Sequence, residues 1–128
     1  MNKSQRKAVY IADRVFSLLK IKAGQSEKDI ASKIKVLLKK FYAKPSFRII
    51  VASGKRSAKP HGFATDKKIR KGDLVVIDFG ALYNGYCSDI TRTVTVAKPT
   101  QKQGKVFRIV REAQKRAIKA VRAGRPCF

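Results

Sequence analysis

Apolar residues recur with helical spacing in three segments of the chain, residues 4–20, residues 26–41 and residues 101–122. The second segment opens with Ser26 and Asp29, which have the spacing of a capping box. An amphipathic helix normally packs its apolar side against a core. We therefore expect three helices, and we expect the third to bury Val106, Ile109, Val110, Ala113, Ala117, Ile118 and Val121.

Three other segments have the composition of β-strands. Residues 47–53 and residues 74–80 are rich in branched apolar side chains, and residues 86–96 are rich in threonine and valine. Between the last two segments stands Asn84-Gly85, a strong signal for a two-residue hairpin turn. The pattern therefore predicts one strand followed by a hairpin.

A loop separates the first strand from the hairpin. Residues 54–66 contain two glycines and a proline, and they carry His61. On its own, a histidine in such a loop is expected to be solvated rather than functional. The predicted order of helix, helix, strand, loop, hairpin and helix is typical of an α+β fold in which helices cover one face of an antiparallel sheet.

The turn at Asn84-Gly85 fixes which hairpin residues lie opposite each other. Asp78 is then opposite Thr91, and Asp89 is opposite Gly80. Because side chains alternate between the two faces of a strand, Asp78 and Asp89 share one face. They are diagonal neighbours with Cα atoms about 7–8 Å apart. A three-residue loop would instead place them on opposite faces.

Two carboxylates at this separation suit a pair of divalent cations about 3.5–4 Å apart. Without cations they would repel each other, and a buried charge without a partner is costly. Gly80 leaves room beside Asp89, and Thr91 is placed to hydrogen-bond a ligand from the same face. In the alternative interpretation, the aspartates accept hydrogen bonds from the backbone or from threonine and hold no metal. The residues alone leave both interpretations open.

The charge of the chain is strongly positive, with 31 Lys and Arg against 8 Asp and Glu and a formal net charge of +23. Such a charge favours anionic partners, above all nucleic acid, although it also occurs on helix faces that are merely solvated. No RNA-binding signature is present. Residues 72–91 nevertheless contain no Lys or Arg. A cation site or a buried sheet would each exclude them, and the three Asp of this segment, Asp73, Asp78 and Asp89, favour the cation site.

The remaining composition points to a folded protein of a reducing compartment. Cys87 and Cys127 do not make a disulfide framework, and we expect both to be free thiols. Together with His61 they are too scattered for a zinc site. No apolar run reaches the roughly 20 residues of a membrane span, and the N-terminus does not have the pattern of a signal peptide. We therefore expect a cytoplasmic location and no membrane partner.

The hairpin sequence VIDFGALYNGYCSDITRTVTV resembles the central motif of the Xaa-Pro aminopeptidase branch of the pita-bread metallo-aminopeptidases, whose neighbouring branch is the methionine aminopeptidases. The upstream FRIIVASGKRSAKPHG is similar to the family segment that ends in Pro-His-Gly. The resemblance implies that residues 1–128 form the N-terminal half of a single pita-bread catalytic domain. It also implies removal of the N-terminal residue of a peptide by metal-assisted hydrolysis, with a preference for cleavage before proline.

The same resemblance assigns roles to individual residues. Asp78 and Asp89 match the two aspartate ligands of a centre of two divalent metal ions, manganese, cobalt or zinc. His61 matches the catalytic-site histidine that lines the substrate pocket and contacts the bound peptide. Thr91 lies within the motif and takes a supporting role next to the metal ligands.

The chain departs from the family in the rest of the ligand set. Family members add one histidine and two glutamates from a second half, whereas Glu27 and Glu112 do not match those positions. We therefore expect a truncated or partial form whose own residues do not complete the hydrolytic site. Two alternatives stay open: an inactive pita-bread scaffold that binds RNA or the ribosome through its basic surface, and a homodimer that rebuilds a symmetric pseudo-enzyme.

Overall fold

The computed structural model describes residues 1–126, so Cys127 and the prediction of a free thiol there lie outside the described residues. Residues 1–98 form one compact unit, and the residues from Pro99 onward form a second. The first unit contains helices α1 (Lys3–Leu18) and α2 (Glu27–Lys40), a short 3₁₀ helix (Gly54–Ala58) and strands β1 (Lys44–Pro45), β2 (Ile50–Ser53), β3 (Leu74–Phe79), β4 (Ala81–Tyr83), β5 (Tyr86–Cys87) and β6 (Ile90–Thr95). The second contains helix α3 (Gln101–Ala120).

The first two helices begin at capping boxes. Ser26 and Asp29 exchange hydrogen bonds of 3.0 and 2.7 Å at the start of α2, which confirms the predicted cap. Asn2 and Gln5 form the equivalent pair at the start of α1. Each pair satisfies two backbone N–H groups that the helix itself leaves unpaired.

The core of the first unit lies between these helices and one face of the sheet. Strand β3 alternates between fully buried and half-buried side chains, and its buried set is Val75, Ile77 and Phe79. These side chains join a cluster with Ile11 and Val15 of α1 and with Ile30, Ile34 and Leu38 of α2. The alternation leaves Asp78 on the other face of the strand, away from the helices.

The hairpin has the predicted register but not the predicted continuity. Both Asn84 (φ 47°) and Gly85 (φ 79°) have positive φ, as a two-residue primed turn requires. Tyr83 pairs with Tyr86, and Asp78 pairs with Thr91. The predicted strand 74–80 forms as β3, but an unpredicted strand, β4, follows it, and the predicted strand 86–96 is divided into β5 and β6. Two three-stranded sheets therefore form, β1-β4-β5 and β2-β3-β6.

Ser88 lies at this division, between β5 and β6. Its hydroxyl accepts a hydrogen bond from the Ala81 backbone N–H (3.0 Å) and donates one to the Ala8 carbonyl of α1 (3.0 Å). A Cβ on Gly80 would lie 1.7 Å from the Ser88 carbonyl oxygen and 2.2 Å from Ser46 Oγ. The expectation that Gly80 leaves room beside Asp89 is therefore wrong, because Ser88 and Ser46 fill the space.

Helix α3 forms where it was predicted, but it does not bury its apolar face. None of its residues is buried, and Val106, Ile109, Val110 and Ile118 are exposed, as is Val121 beyond its end. Within residues 99–126, α3 is the only helix or strand, so its own unit does not supply a surface for the predicted inward face.

Candidate metal centre

Asp78 is half-buried on β3, the middle strand of the β2-β3-β6 sheet, where it pairs with Ile50 of β2 and Thr91 of β6. Its Oδ1 atom is inaccessible and has no hydrogen-bond partner among the described residues. Burial raises the pKa of Asp78 above its usual value, and the neighbouring carboxylate of Asp89 raises it further, while the Thr91 side chain opposes both effects. One oxygen of the Asp78 carboxylate is thus left unsatisfied by the described residues.

Asp89 stands at the break between β5 and β6, next to Ser88, and its side chain is exposed. It lies within interaction distance of the Asp78 carboxyl group. The Thr91 hydroxyl also reaches Asp78. The hairpin therefore brings Asp78, Asp89 and Thr91 together, as the register predicted.

The basic residue nearest in sequence to the pair, Arg92, is engaged by α1. Arg92, the next residue after Thr91, contacts the Asp13 carboxylate of α1 at 3.6 Å and lies over the Phe16 ring. The third aspartate of the Lys- and Arg-free segment, Asp73, belongs to a different contact. Its carboxylate accepts hydrogen bonds from Lys67 Nζ (2.8 Å) and from the Arg70 backbone N–H (3.0 Å).

The carboxylate pair fits a divalent cation in the chemistry of its donors. Oxygen ligands from Asp suit Mn²⁺ and related ions, and a cation would satisfy the buried Oδ1 and remove the repulsion between the two groups. No group of three or more His, Cys, Asp and Glu side chains is close enough to hold a metal within residues 1–126. The described part of the chain thus offers a pair of carboxylates, not a closed metal site.

His61 is exposed on the loop that follows the 3₁₀ helix. Its backbone carbonyl accepts a hydrogen bond from the Phe63 N–H (2.9 Å). The structure does not include it in any metal-binding group of the described residues. The role in substrate contact that the sequence resemblance assigns to His61 remains a prediction.

The sequence profile of Metallopeptidase family M24 matches residues 3–128, nearly the whole chain. The chain belongs to metallopeptidase family M24. Peptidases of this family depend on divalent metal, which agrees with the chemistry of the aspartate pair.

Several relatives of this M24 chain are named for Xaa-Pro peptides. The Xaa-Pro dipeptidase of Pyrococcus furiosus is 52% identical over 121 residues, which cover 92% of this chain and 35% of that protein. The structure of prolidase from Pyrococcus furiosus superposes with a TM-score of 0.86 over 90% of this chain and 35% of its own. The X-Pro aminopeptidase from Thermotoga maritima, 45% identical, gives 0.90 over 95% and 36%.

These similarities confirm the α+β arrangement and its correspondence to the pita-bread fold. The M24 chain spans about a third of the length of the relatives it matches. No helix among the described residues has the length and apolar character to cross a membrane.

Sequence reasoning missed a buried ionic group in this M24 chain. The Glu27 side chain is 0% exposed. Its carboxylate accepts hydrogen bonds from the backbone N–H and hydroxyl of Ser53 (2.8 and 2.9 Å) and of Thr65 (3.1 and 2.7 Å), and it pairs with Arg56 Nε at 3.2 Å. Burial acts to raise the pKa of Glu27, but these hydrogen bonds outweigh it, so the pKa lies below its usual value.

This cluster holds both ends of the loop that carries His61. Ser53 precedes the loop, Thr65 lies near its end, and Arg56 also donates to the Phe63 carbonyl at 2.7 Å. A signal was present in the sequence, because Glu27 stands at helical spacing from Ile30, Ile34 and Leu38 and so falls on the buried face of α2. An acidic residue on an apolar helix face indicates a buried partner.

Proposed function

We propose that this chain forms part of a divalent-metal-dependent peptidase that cleaves Xaa-Pro peptides, and that Asp78 and Asp89 are two of its metal ligands. The buried Asp78 Oδ1 carries the proposal, since it has no hydrogen-bond partner within residues 1–126 and lies beside a second carboxylate. Family M24 membership and relatives named Xaa-Pro dipeptidase support it. We favour a dipeptide as substrate, because two relatives near 50% identity carry that name.

Each residue near the pair has a separate task in this proposal. Asp78 and Asp89 hold the ions from one face of the sheet, and Thr91 orients the Asp78 carboxylate through its hydroxyl. Bound divalent ions, two of manganese, cobalt or zinc, would lower the pKa of water and polarise the scissile carbonyl. His61, on its tethered loop, contacts the peptide substrate. The remaining ligands come from residues other than those described here.

A chimeric enzyme tests this proposal. Residues of this chain replace the matching 121-residue segment of the Xaa-Pro dipeptidase of Pyrococcus furiosus, to which they are 52% identical. We expect the chimera to hydrolyse a Xaa-Pro dipeptide when Mn²⁺ is supplied. The same chimera with Asp78→Asn is expected to lose at least about a hundredfold in kcat/KM. Mutation of a residue that only hydrogen-bonds a metal ligand already costs about 10–100-fold in metal affinity or activity, and loss of a ligand should cost more.

The matched control is Asp66→Asn, which removes an equal charge from an exposed residue of the same unit. This control chimera should retain the activity of the parent. A folded chimera that binds metal but cleaves no Xaa-Pro dipeptide would overturn the proposed function. Equal activity of the parent and Asp78→Asn chimeras would remove the ligand assignment.

A further inference from the structure

A groove runs between α2 and the segment around β1, and we call it the α2–β1 groove. It has a volume of about 700 Å³. Its cationic lining residues are Lys28, Lys35, Lys44 and Arg48. Neither Asp78 nor Asp89 lines it, so it is a different site from the candidate metal centre.

Three of the four cations lack a carboxylate partner. Within residues 1–126, Lys35, Lys44 and Arg48 form no salt bridge. Lys28 pairs with Asp66 at 2.7 Å, but the two side chains are 58% and 84% exposed, so solvent weakens that pair. The cationic residues that line the groove therefore offer uncompensated positive charge to a ligand.

The two lysines of α2 that line the groove are spaced along the helix axis. Lys28 and Lys35 are seven residues apart, about two turns, and so lie on the same side of the helix about 10 Å from each other. Arg48 stands over the Phe63 ring, 3.8 Å from its centroid, which restrains the guanidinium group before any ligand binds. Cations that are separated from one another, one of them restrained, suit a chain of phosphates rather than one small anion.

Part of the groove lining is apolar. Phe47, which is half-buried, lines the groove together with Ala31, Pro45, Ile49 and Ala64. A flat aromatic side chain in a groove that is also lined by cations provides a stacking surface for a nucleobase whose phosphates contact those cations. A ligand made only of phosphates would gain nothing from these apolar residues, and a flat membrane surface does not enter a concave groove.

We propose that the α2–β1 groove binds single-stranded nucleic acid, with phosphates along Lys35, Lys44 and Arg48 and a base stacked on Phe47. The proposal does not depend on the peptidase function, because it uses none of the same residues. It replaces a diffuse attraction by the net charge of +23 with a defined site.

The test compares two variants of equal charge by fluorescence anisotropy with labelled oligouridylate. The groove variant carries Lys35→Gln, Lys44→Gln and Arg48→Gln. The control carries Lys22→Gln, Lys71→Gln and Arg14→Gln, which are exposed and lie outside the groove. Each changes two Lys and one Arg, and each lowers the formal net charge from +23 to +20.

We expect the groove variant to lose about tenfold or more in affinity, and its slope of log K against log salt should fall by about 2, as three lost phosphate contacts predict for a single strand. The control should lose much less. Equal losses in the two variants would show diffuse attraction and overturn the site.

A further variant, Phe47→Leu, separates nucleic acid from other polyanions. It keeps the charge and an apolar side chain but removes the stacking surface, so affinity for oligouridylate should fall roughly tenfold. Affinity for inorganic polyphosphate should not change, which also shows that the groove stays folded. If oligouridylate binds this variant as tightly as the unchanged chain, the groove is a general anion site and the proposal is wrong.

Discussion

Replacement of Glu27 by alanine is expected to destabilise the first unit more than any change of a surface charge. The substitution removes the acceptor of four hydrogen bonds from Ser53 and Thr65. It also leaves Arg56, whose side chain is only 26% exposed, without its carboxylate partner. Loss of one partner of a buried ion pair costs about 3–5 kcal/mol, because the other charge stays in a poorly solvated position.

The lower end of that range applies here. Arg56 keeps some solvent contact and its hydrogen bond to the Phe63 carbonyl, so its stranded charge is partly relieved. The unpaired donors of Ser53 and Thr65 contribute about 1–3 kcal/mol of the loss. We therefore expect the free energy of unfolding to fall by about 3 kcal/mol for Glu27→Ala. This is a large part of the roughly 5–15 kcal/mol that stabilises a domain.

Urea unfolding followed by tyrosine fluorescence measures this change in the first unit alone. All four tyrosines of the chain lie within residues 1–98, and the chain contains no tryptophan. The control is Asp66→Ala, which breaks the exposed Lys28–Asp66 pair and should cost no more than about 1 kcal/mol. If Glu27→Ala and Asp66→Ala shift the unfolding free energy equally, the buried cluster does not stabilise the fold as described.

Two further predictions follow from the pKa shifts and the aspartate pair. Because the pKa of Glu27 is lowered from 4.5 by its hydrogen bonds in spite of burial, its stabilisation is present above that value and is lost as the pH falls through the lowered pKa. The stability gap between the unchanged chain and Glu27→Gln should thus shrink in acid titrations as the pH falls below 4.5 and through the lowered pKa, and a constant gap would contradict this. Without metal, Asp78→Asn should stabilise the chain by up to about 1 kcal/mol near pH 7, because it removes a buried, repelled charge. In calorimetry it should also abolish the weak heat of Mn²⁺ binding, and a heat equal to that of the unchanged chain would exclude Asp78 as a ligand.

Features set by neighbouring residues could be predicted from the sequence. The Asn84-Gly85 turn fixed the pairing of Asp78 with Thr91, and that pairing placed Asp89 close to Asp78. The capping box at Ser26 also depends only on the next three residues. Local signals of this kind carry their own geometry, so they survive folding unchanged.

Features set by distant residues could not be predicted in the same way. Glu27 finds its partners 26 to 38 positions along the chain, and no local pattern names them. The division of the hairpin strands depends on Ser88 and on Ser46, which donates to the Ser88 carbonyl across 42 positions. The exposed face of α3 shows the reverse case, because periodicity predicts that a helix needs a covering surface but not where that surface is.

The hydroxyl of Ser88 has a consequence for the order in which the aspartate pair is assembled during folding. Its bond to the Ala8 carbonyl joins residues 80 positions apart, and Asp89 is the next residue in the chain. Contacts of such long sequence separation form late, since the entropy of closing the intervening loop must first be overcome. The turn at Asn84-Gly85 can form within microseconds and sets the pairing of Asp78 with Thr91. We expect the break in the strand at Ser88, which positions Asp89, to be completed later, when α1 docks on the hairpin. Ions added at the start of refolding are then expected to bind the aspartate pair only in its last steps.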